Sequence, residues 1–275
     1  MLAHHDISAT APVINVSRAK RQDISLDRYA GLWVTPEAEA LWDELAREVY
    51  PSDDVSSSLR NRFYLEQHRA FAANHSQPVS VNLAAGFSDY AYLLGPQWRC
   101  VETDSPGIVE AKAERTAAWE AEGRLPRRDV LYFGADLVRG VENLGRELPG
   151  WIGGRPALVM LEGVTYYLPR LVLEWLFGLL AANLPTGSRL AFEHWPPDAA
   201  TYPVFVRLNA YLQNRFGWAV PAYDLFDAAY VAGLPGFRLL EATDIAAVEA
   251  RWTNGRLLAD RAARLPIFFC LLEKS

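Results

Sequence analysis

The chain has 275 residues, 51% apolar and 22% charged, an ordinary globular composition that excludes wholesale disorder and collagen-like repeats. Its 27 basic and 33 acidic residues give a net charge of −6, and no basic run marks a surface that would track nucleic-acid phosphates. Cys100 and Cys270 sit in apolar stretches and read as buried small residues, not as a disulfide framework or zinc site.

The opening MLAHHD has no apolar core of a signal peptide, and the most apolar helical stretch, residues 171–184, is short and contains Glu174. The expectation is a cytoplasmic protein with no membrane or nucleic-acid partner. Residues 36–50 start with Pro36 and place Ala38, Leu41, Trp42, Leu45 and Val49 on one helical stripe, with Thr35 as N-cap. A polar connection over 51–58 leads to a second helix over 58–73. Residues 1–76 are thus expected to form a helical cap on a main domain spanning 77–275.

From residue 77 the pattern alternates. Short apolar runs over 78–84, 98–103, 129–133, 156–161 and 188–192 predict strands, separated by helices over 106–122, 138–148 and 169–184. Beyond Trp195 the repeat loosens. Helices are expected over 201–216, 223–232 and 243–258, and closing strands over 236–240 and 266–272. This order predicts an α/β fold with a mostly parallel sheet, helices on both faces and an antiparallel edge.

Each run ends in small or acidic residues. Ligands of open parallel sheets bind at the carboxyl ends of strands, so Gly86, Asp104, Asp136, Glu162 and His194 are expected to crowd one edge. Val81-Asn82-Leu83-Ala84-Ala85-Gly86-Phe87 reads as a strand entering a tight turn where a backbone can approach a ligand closely. The G-x-G-x-x-G fingerprint, the phosphate-cradling P-loop and the G-x-S-x-G elbow are all missing, which disfavours a nicotinamide oxidoreductase, an NTPase and an α/β-hydrolase. Asp104 is placed either to accept ribose hydroxyls or to cap the following helix, and Asp136 either to recognise an adenine amino group or to cap its own loop. Tyr166 and Tyr167 offer ring faces to a cation or pack as core. His4, His5, His68, His75 and His194 show no metal-ligand spacing, so no metal is expected.

Four of these segments together resemble the leucine carboxyl methyltransferase family, a branch of the class I S-adenosylmethionine-dependent methyltransferases that includes bacterial natural-product O-methyltransferases. They are the Gly86 turn, Val101-Glu102-Thr103-Asp104-Ser105-Pro106 with Lys112, Gly134-Ala135-Asp136-Leu137, and Glu162-Gly163-Val164-x-x-Tyr167-Leu168. Ala19-Lys20-Arg21 and Arg60-Asn61-Arg62-Phe63 resemble the family's basic positions for the cofactor carboxylate. The resemblance implies a Rossmann-like, seven-stranded fold with S-adenosyl-L-methionine as cofactor. Lys20 and Arg60 would then hold its carboxylate, Ala84 and Gly86 the close-approach turn, Asp104 the ribose, Asp136 and Leu137 the adenine, and Glu162 the amino-acid end. The acceptor is expected to be a small carboxylate or hydroxyl compound, with His194 and Tyr167 as acceptor-side catalytic residues. Residues 195–218 and the N-terminal helices would form a lid. Ala84 stands where the family has Gly, and Ser88, Tyr90 and Leu93 stand where it carries Asp and Arg. Those departures raise the alternative of a catalytically altered cofactor-binding protein working in a biosynthetic complex.

Overall fold

The computed structural model describes residues 11–217 and 225–275. Helices α1 (Ala11–Lys20), α2 (Gln22–Ser25), α3 (Pro36–Glu48) and α4 (Asp53–Ala72) precede the first strand. Strands β1 (Val79–Leu83), β2 (Arg99–Asp104), β3 (Val130–Gly134), β4 (Ala157–Leu161), β5 (Arg189–His194), β6 (Phe237–Asp244) and β7 (Phe268–Lys274) form a seven-stranded sheet in the order β3-β2-β1-β4-β5-β7-β6. The first five strands pair in parallel, and β7 runs antiparallel between β5 and β6. Helices α5 (Tyr90–Leu93), α6 (Pro106–Ala121), α7 (Val141–Ile152) and α8 (Arg170–Asn183) alternate with these strands, followed by α9 (Pro203–Phe216), α10 (Ala228–Ala232) and α11 (Ile245–Thr253).

Side chains alternate between the two faces of a strand, and here both faces are covered. Val79, Val81 and Leu83 of β1 join Val159 and Leu161 of β4 in one core, with α7 and α8. Leu158 and Met160 of β4 join a second core with α4, α11 and the aromatic residues around Trp195. Cys100 and Cys270 are buried and unpaired. No helix among the described residues is long and apolar enough to cross a membrane.

Several elements differ from their sequence expectation. Helix α1 falls in a segment with no clear apolar stripe, because Asn15, Ser17 and Arg18 are buried along with Val13 and Val16. Residues 53–58 are helical and not a polar connection, since Asp53 and Asp54 supply the acidic first turn that favours a helix N-terminus. Helix α7 starts at Val141 because Asp136 folds back into a turn, its carbonyl accepting from Gly140 N at 2.6 Å. Strand β5 continues through His194, and β6 runs to Asp244, which then caps α11 by accepting from Ala247 N. Thr35 caps α3 by accepting from Ala38 N, as its position predicts. Residues 218–224, within the expected lid and helix 223–232, lie outside the described residues.

Candidate active site

β1 is flanked by β2 on one side and β4 on the other, so the chain leaves its carboxyl end at the point where strand order reverses. A cavity of about 560 Å³ opens there, lined by the ends of β1, β2, β3 and β4 and by α1 and α4. Ala84 and Gly86 both adopt left-handed backbone conformations, with φ of 59° and 48°. Glycine enters that region freely, whereas alanine does so at a cost of about 1 kcal/mol. The turn is tied to the neighbouring strand: Gly86 N donates to Asp104 Oδ2 at 2.7 Å, and Ala85 N to Thr103 O at 2.8 Å. Asp104 Oδ1 accepts from Ser105 N at 2.7 Å. Its carboxylate therefore braces the turn from β2 and is not the side-chain cap of α6.

Glu162, one residue past β4, sits between two arginines. Its Oε1 accepts from Arg18 Nη2 at 2.5 Å and Arg60 Nε at 3.1 Å, and its Oε2 accepts from Tyr90 at 2.9 Å. Burial pushes this carboxyl up, but Arg18 and Arg60 outweigh it and hold it below the ordinary value. Behind them lies Glu193 of β5, fully buried, accepting from Tyr64 and from Gly163 N. Arg60 stands 3.8 Å from it. Burial dominates at Glu193, with the guanidinium of Arg60 opposing, and its carboxyl is pushed up to about 7. Two neighbouring glutamates are thus driven in opposite directions by the number of arginine contacts each makes.

A second cavity of about 120 Å³ adjoins the first, and Ile14, Arg60, Tyr166 and Tyr167 line both. Its walls come from α1, α3, α4 and α9, together with Trp195 and Ile267. The ring of Tyr166 stacks on Trp195 at 4.2 Å with an interplanar angle of 2°, and Tyr167 meets Tyr166 edge-on. Asp53 lies in this apolar and aromatic wall, buried, with Ser17 donating to its Oδ2 at 2.7 Å. Burial pushes the Asp53 carboxyl up, against the pull of the Ser17 hydrogen bond and of Arg60.

The larger cavity brings together Arg60, Ala84, Gly86, Asp104, Asp136, Leu137, Glu162 and Tyr167 of the sequence-predicted residues. Two others lie elsewhere. Lys20 is exposed and its ammonium rests 4.3 Å over the Trp42 ring; Arg18, two positions earlier, takes the place at Glu162. Two helical positions turn the side chain by about 200°, which puts Lys20 on the opposite face. His194 is not at the site either. It packs among Phe192, Phe226 and Phe268 with Nδ1 bonded to Trp195 O, and burial lowers its pKa. Asp136 lines the cavity, but its Oδ1 accepts from Val138 N and Arg139 N, so it caps its own loop. Among the described residues no cluster of three or more His, Cys, Asp or Glu is arranged to hold a metal.

Arg18 and Asn15 line the cavity, and Tyr90 and Glu193 hold Glu162 and Arg60 from behind it; the sequence reading assigns none of the four to the site. Ile14 and Arg18 are one helical turn apart and both face the cavity, the one sequence signal that favours Arg18 over Lys20. Three buried polar atoms on cavity-lining residues have no hydrogen-bond partner: Asn15 Oδ1, Asn82 Oδ1 and Arg18 Nε. Two acceptors and a cationic donor beside a glycine turn and the Asp104 carboxylate fit a ligand that carries an ammonium, a carboxylate and a sugar. S-adenosylmethionine has all three groups.

A family model described as leucine carboxyl methyltransferase matches residues 8–180. A Mycobacterium marinum protein named as an S-adenosyl-L-methionine-dependent methyltransferase is 29% identical over 221 residues, covering 74% of this chain and 71% of its own length. Another of that name from the same organism is 30% identical over 212 residues, covering 71% and 68%. Among solved structures, a methyltransferase from Thermobifida fusca aligns over 99% of this chain and 98% of its own with a TM-score of 0.64 and 19% identity. The magnesium protoporphyrin IX methyltransferase of Synechocystis, solved with S-adenosylhomocysteine, aligns over 94% and 99% with a TM-score of 0.51 and 12% identity. At these identities the two structures speak to the fold, which is that of the Rossmann-like methyltransferases.

Proposed function

This chain belongs to the leucine carboxyl methyltransferase family and is an S-adenosylmethionine-dependent methyltransferase, and from that premise we propose that it methylates an oxygen atom of a small molecule in natural-product biosynthesis. The observation that carries the reading is the junction of the two cavities at Arg60, Tyr166 and Tyr167. One cavity has the polar groups for a cofactor, and the adjoining one has the apolar walls for an acceptor.

Bound S-adenosylmethionine supplies an electrophilic methyl group on a sulfonium centre. Arg18 and Arg60, both paired with Glu162, would also hold the cofactor's carboxylate. The oxygens of Asn15 and Asn82 that lack a hydrogen-bond partner, with Glu162, would receive the cofactor's ammonium. Asp104, which holds the Gly86 turn, would accept the ribose hydroxyls, and Leu137 and the capped Asp136 loop would receive the adenine. Methyl transfer is an in-line displacement, so most of the acceleration comes from alignment. Burial pushes the Tyr167 hydroxyl up to about 12, which keeps it a neutral hydrogen-bond donor that orients an acceptor without deprotonating it. The N-terminal helices, acting as a cap over the junction, exclude water.

Calorimetric titration with S-adenosylmethionine and S-adenosylhomocysteine tests the cofactor half, and transfer of a labelled methyl group to an acceptor panel tests the rest. Absence of binding at millimolar cofactor removes the reading. Ala84 at φ 59° and the Tyr90 hydroxyl on Glu162 favour a second reading, a cofactor-binding partner in a biosynthetic complex. That reading predicts binding without turnover, and methylation of any panel member eliminates it.

A further inference from the structure

The face of α4 that lines the smaller cavity carries Asp53, Ser56, Ser57 and Arg60, spaced i, i+3, i+4 and i+7. Arg60 marks the end shared with the cofactor cavity, and Asp53 lies about 10 Å along the helix from it at the usual rise per residue. The two charges on this wall are not equivalent. Arg60 is already paired with Glu162 at 3.1 Å and stands 3.8 Å from Glu193. Asp53 has hydroxyl partners, Ser17 at 2.7 Å and Ser57 at 3.4 Å, and no cation among the described residues forms an ion pair with it. The cavity it lines has aromatic walls, with Tyr50 on the Asp53 side and Tyr166 and Trp195 towards the Arg60 end. Two hydroxyls, the N-terminus of α4 and the more distant Arg60 offset the burial of this carboxylate only in part, since burial still dominates. Aromatic faces beside a carboxylate are the surroundings that an ammonium group prefers.

We propose that Asp53 is a specificity-determining residue that receives an ammonium group at the far end of the methyl acceptor, while the reacting oxygen lies at the Arg60–Tyr167 end. This assignment rests on the methyltransferase reading above and narrows its acceptor to a small aromatic or apolar amine that carries a hydroxyl. An acceptor with a negative charge at the far end meets the Asp53 carboxylate with no available cation to offset it.

Three probes of one shape separate the cases: tyramine, with a far ammonium; 4-ethylphenol, with none; and 3-(4-hydroxyphenyl)propionate, with a far carboxylate. Each is titrated calorimetrically into protein saturated with S-adenosylhomocysteine, after binding of that compound has itself been measured. The wild-type protein is expected to bind tyramine at least about tenfold more tightly than 4-ethylphenol and to bind the carboxylate probe weakest. Asp53→Asn is expected to reduce the tyramine preference to within about twofold while leaving S-adenosylhomocysteine affinity unchanged. Equal binding of the three probes to wild type, binding of none of them, or a tyramine preference that survives in D53N overturns the assignment. The wild-type preference stands as a test even where D53N folds poorly. Failure of S-adenosylhomocysteine to bind sinks the methyltransferase reading and this inference with it. Bound S-adenosylhomocysteine without a charge preference sinks only the role of Asp53.

Discussion

Replacing Glu162 with alanine removes the one carboxylate that both arginines of the cofactor cavity share. Arg18 and Arg60 are buried, and each keeps a poorer partner: Asp27 at 4.0 Å for Arg18 and Glu193 at 3.8 Å for Arg60. Stripping one partner from a buried ion pair costs about 3–5 kcal/mol, and these residual contacts place the expected loss near the lower figure, about 3 kcal/mol. The Tyr90 hydroxyl loses its acceptor as well. With a urea dependence of about 3 kcal/mol per molar, the unfolding midpoint should fall by about 1 M. The same titration on Arg18→Ala and on the double variant measures the coupling. The double variant should cost at least about 1 kcal/mol less than the sum of the single ones, because the second substitution removes a charge that the first left uncompensated. A midpoint shift under about 0.2 M, or strict additivity, refutes the claim that this trio is one electrostatic unit.

Three further outcomes follow from the same geometry. Arg18→Ala should weaken S-adenosylmethionine binding at least about tenfold in calorimetry, and Lys20→Ala should change it less than about twofold. Asp104→Ala should weaken cofactor binding by a similar factor and also cost about 1–3 kcal/mol of stability, read from denaturant midpoints, because Gly86 N loses its charged acceptor. Glu193 should give the protein an unusual pH slope. Its folded value of about 7 lies above the ordinary 4.5, so its contribution is full below pH 4.5 and falls as pH rises to about 7. The loss is about 3 kcal/mol at most, and Glu193→Gln should flatten stability between those limits in midpoints measured at pH 5 and pH 7.5. Glu162 acts in the opposite sense: its depressed value stabilises the fold above the ordinary carboxylate range and is lost only as pH falls below it.

The sheet was legible because each of the first five strands is a short apolar run stopped by a small or acidic residue. That punctuation placed Gly86, Asp104 and Glu162 at one edge, where the structure also has them. Helix α1 was hidden for the opposite reason. Its inward face carries Asn15, Ser17 and Arg18, which a search for apolar periodicity counts as outward-facing. His194 and Lys20 both point away from the cavity, Lys20 because two helical positions turn a side chain by about 200° and His194 for a different reason. Neighbours on a strand point to opposite faces, so a one-residue error in assigning the functional side chain moves it across the whole sheet. Nothing in the sequence distinguishes those neighbours until α4 is seen to lie over the face that carries Glu193, where Tyr64 and Arg60 reach it. The polar connection expected over 51–58 puts Asp53 in a loop, where an acid needs no explanation, whereas the structure has it in the first turn of α4.

The partition formed by Arg60, Tyr166 and Tyr167 has two sides, one facing each cavity. Occupants on either side of it are thermodynamic neighbours even if they never touch. Whatever factor the first ligand imposes on the affinity of the second, the second returns in equal measure to the first. Because the same guanidinium is bound to Glu162 and stands close to Glu193, protons taken up or released by these acids enter that reciprocity as a third participant.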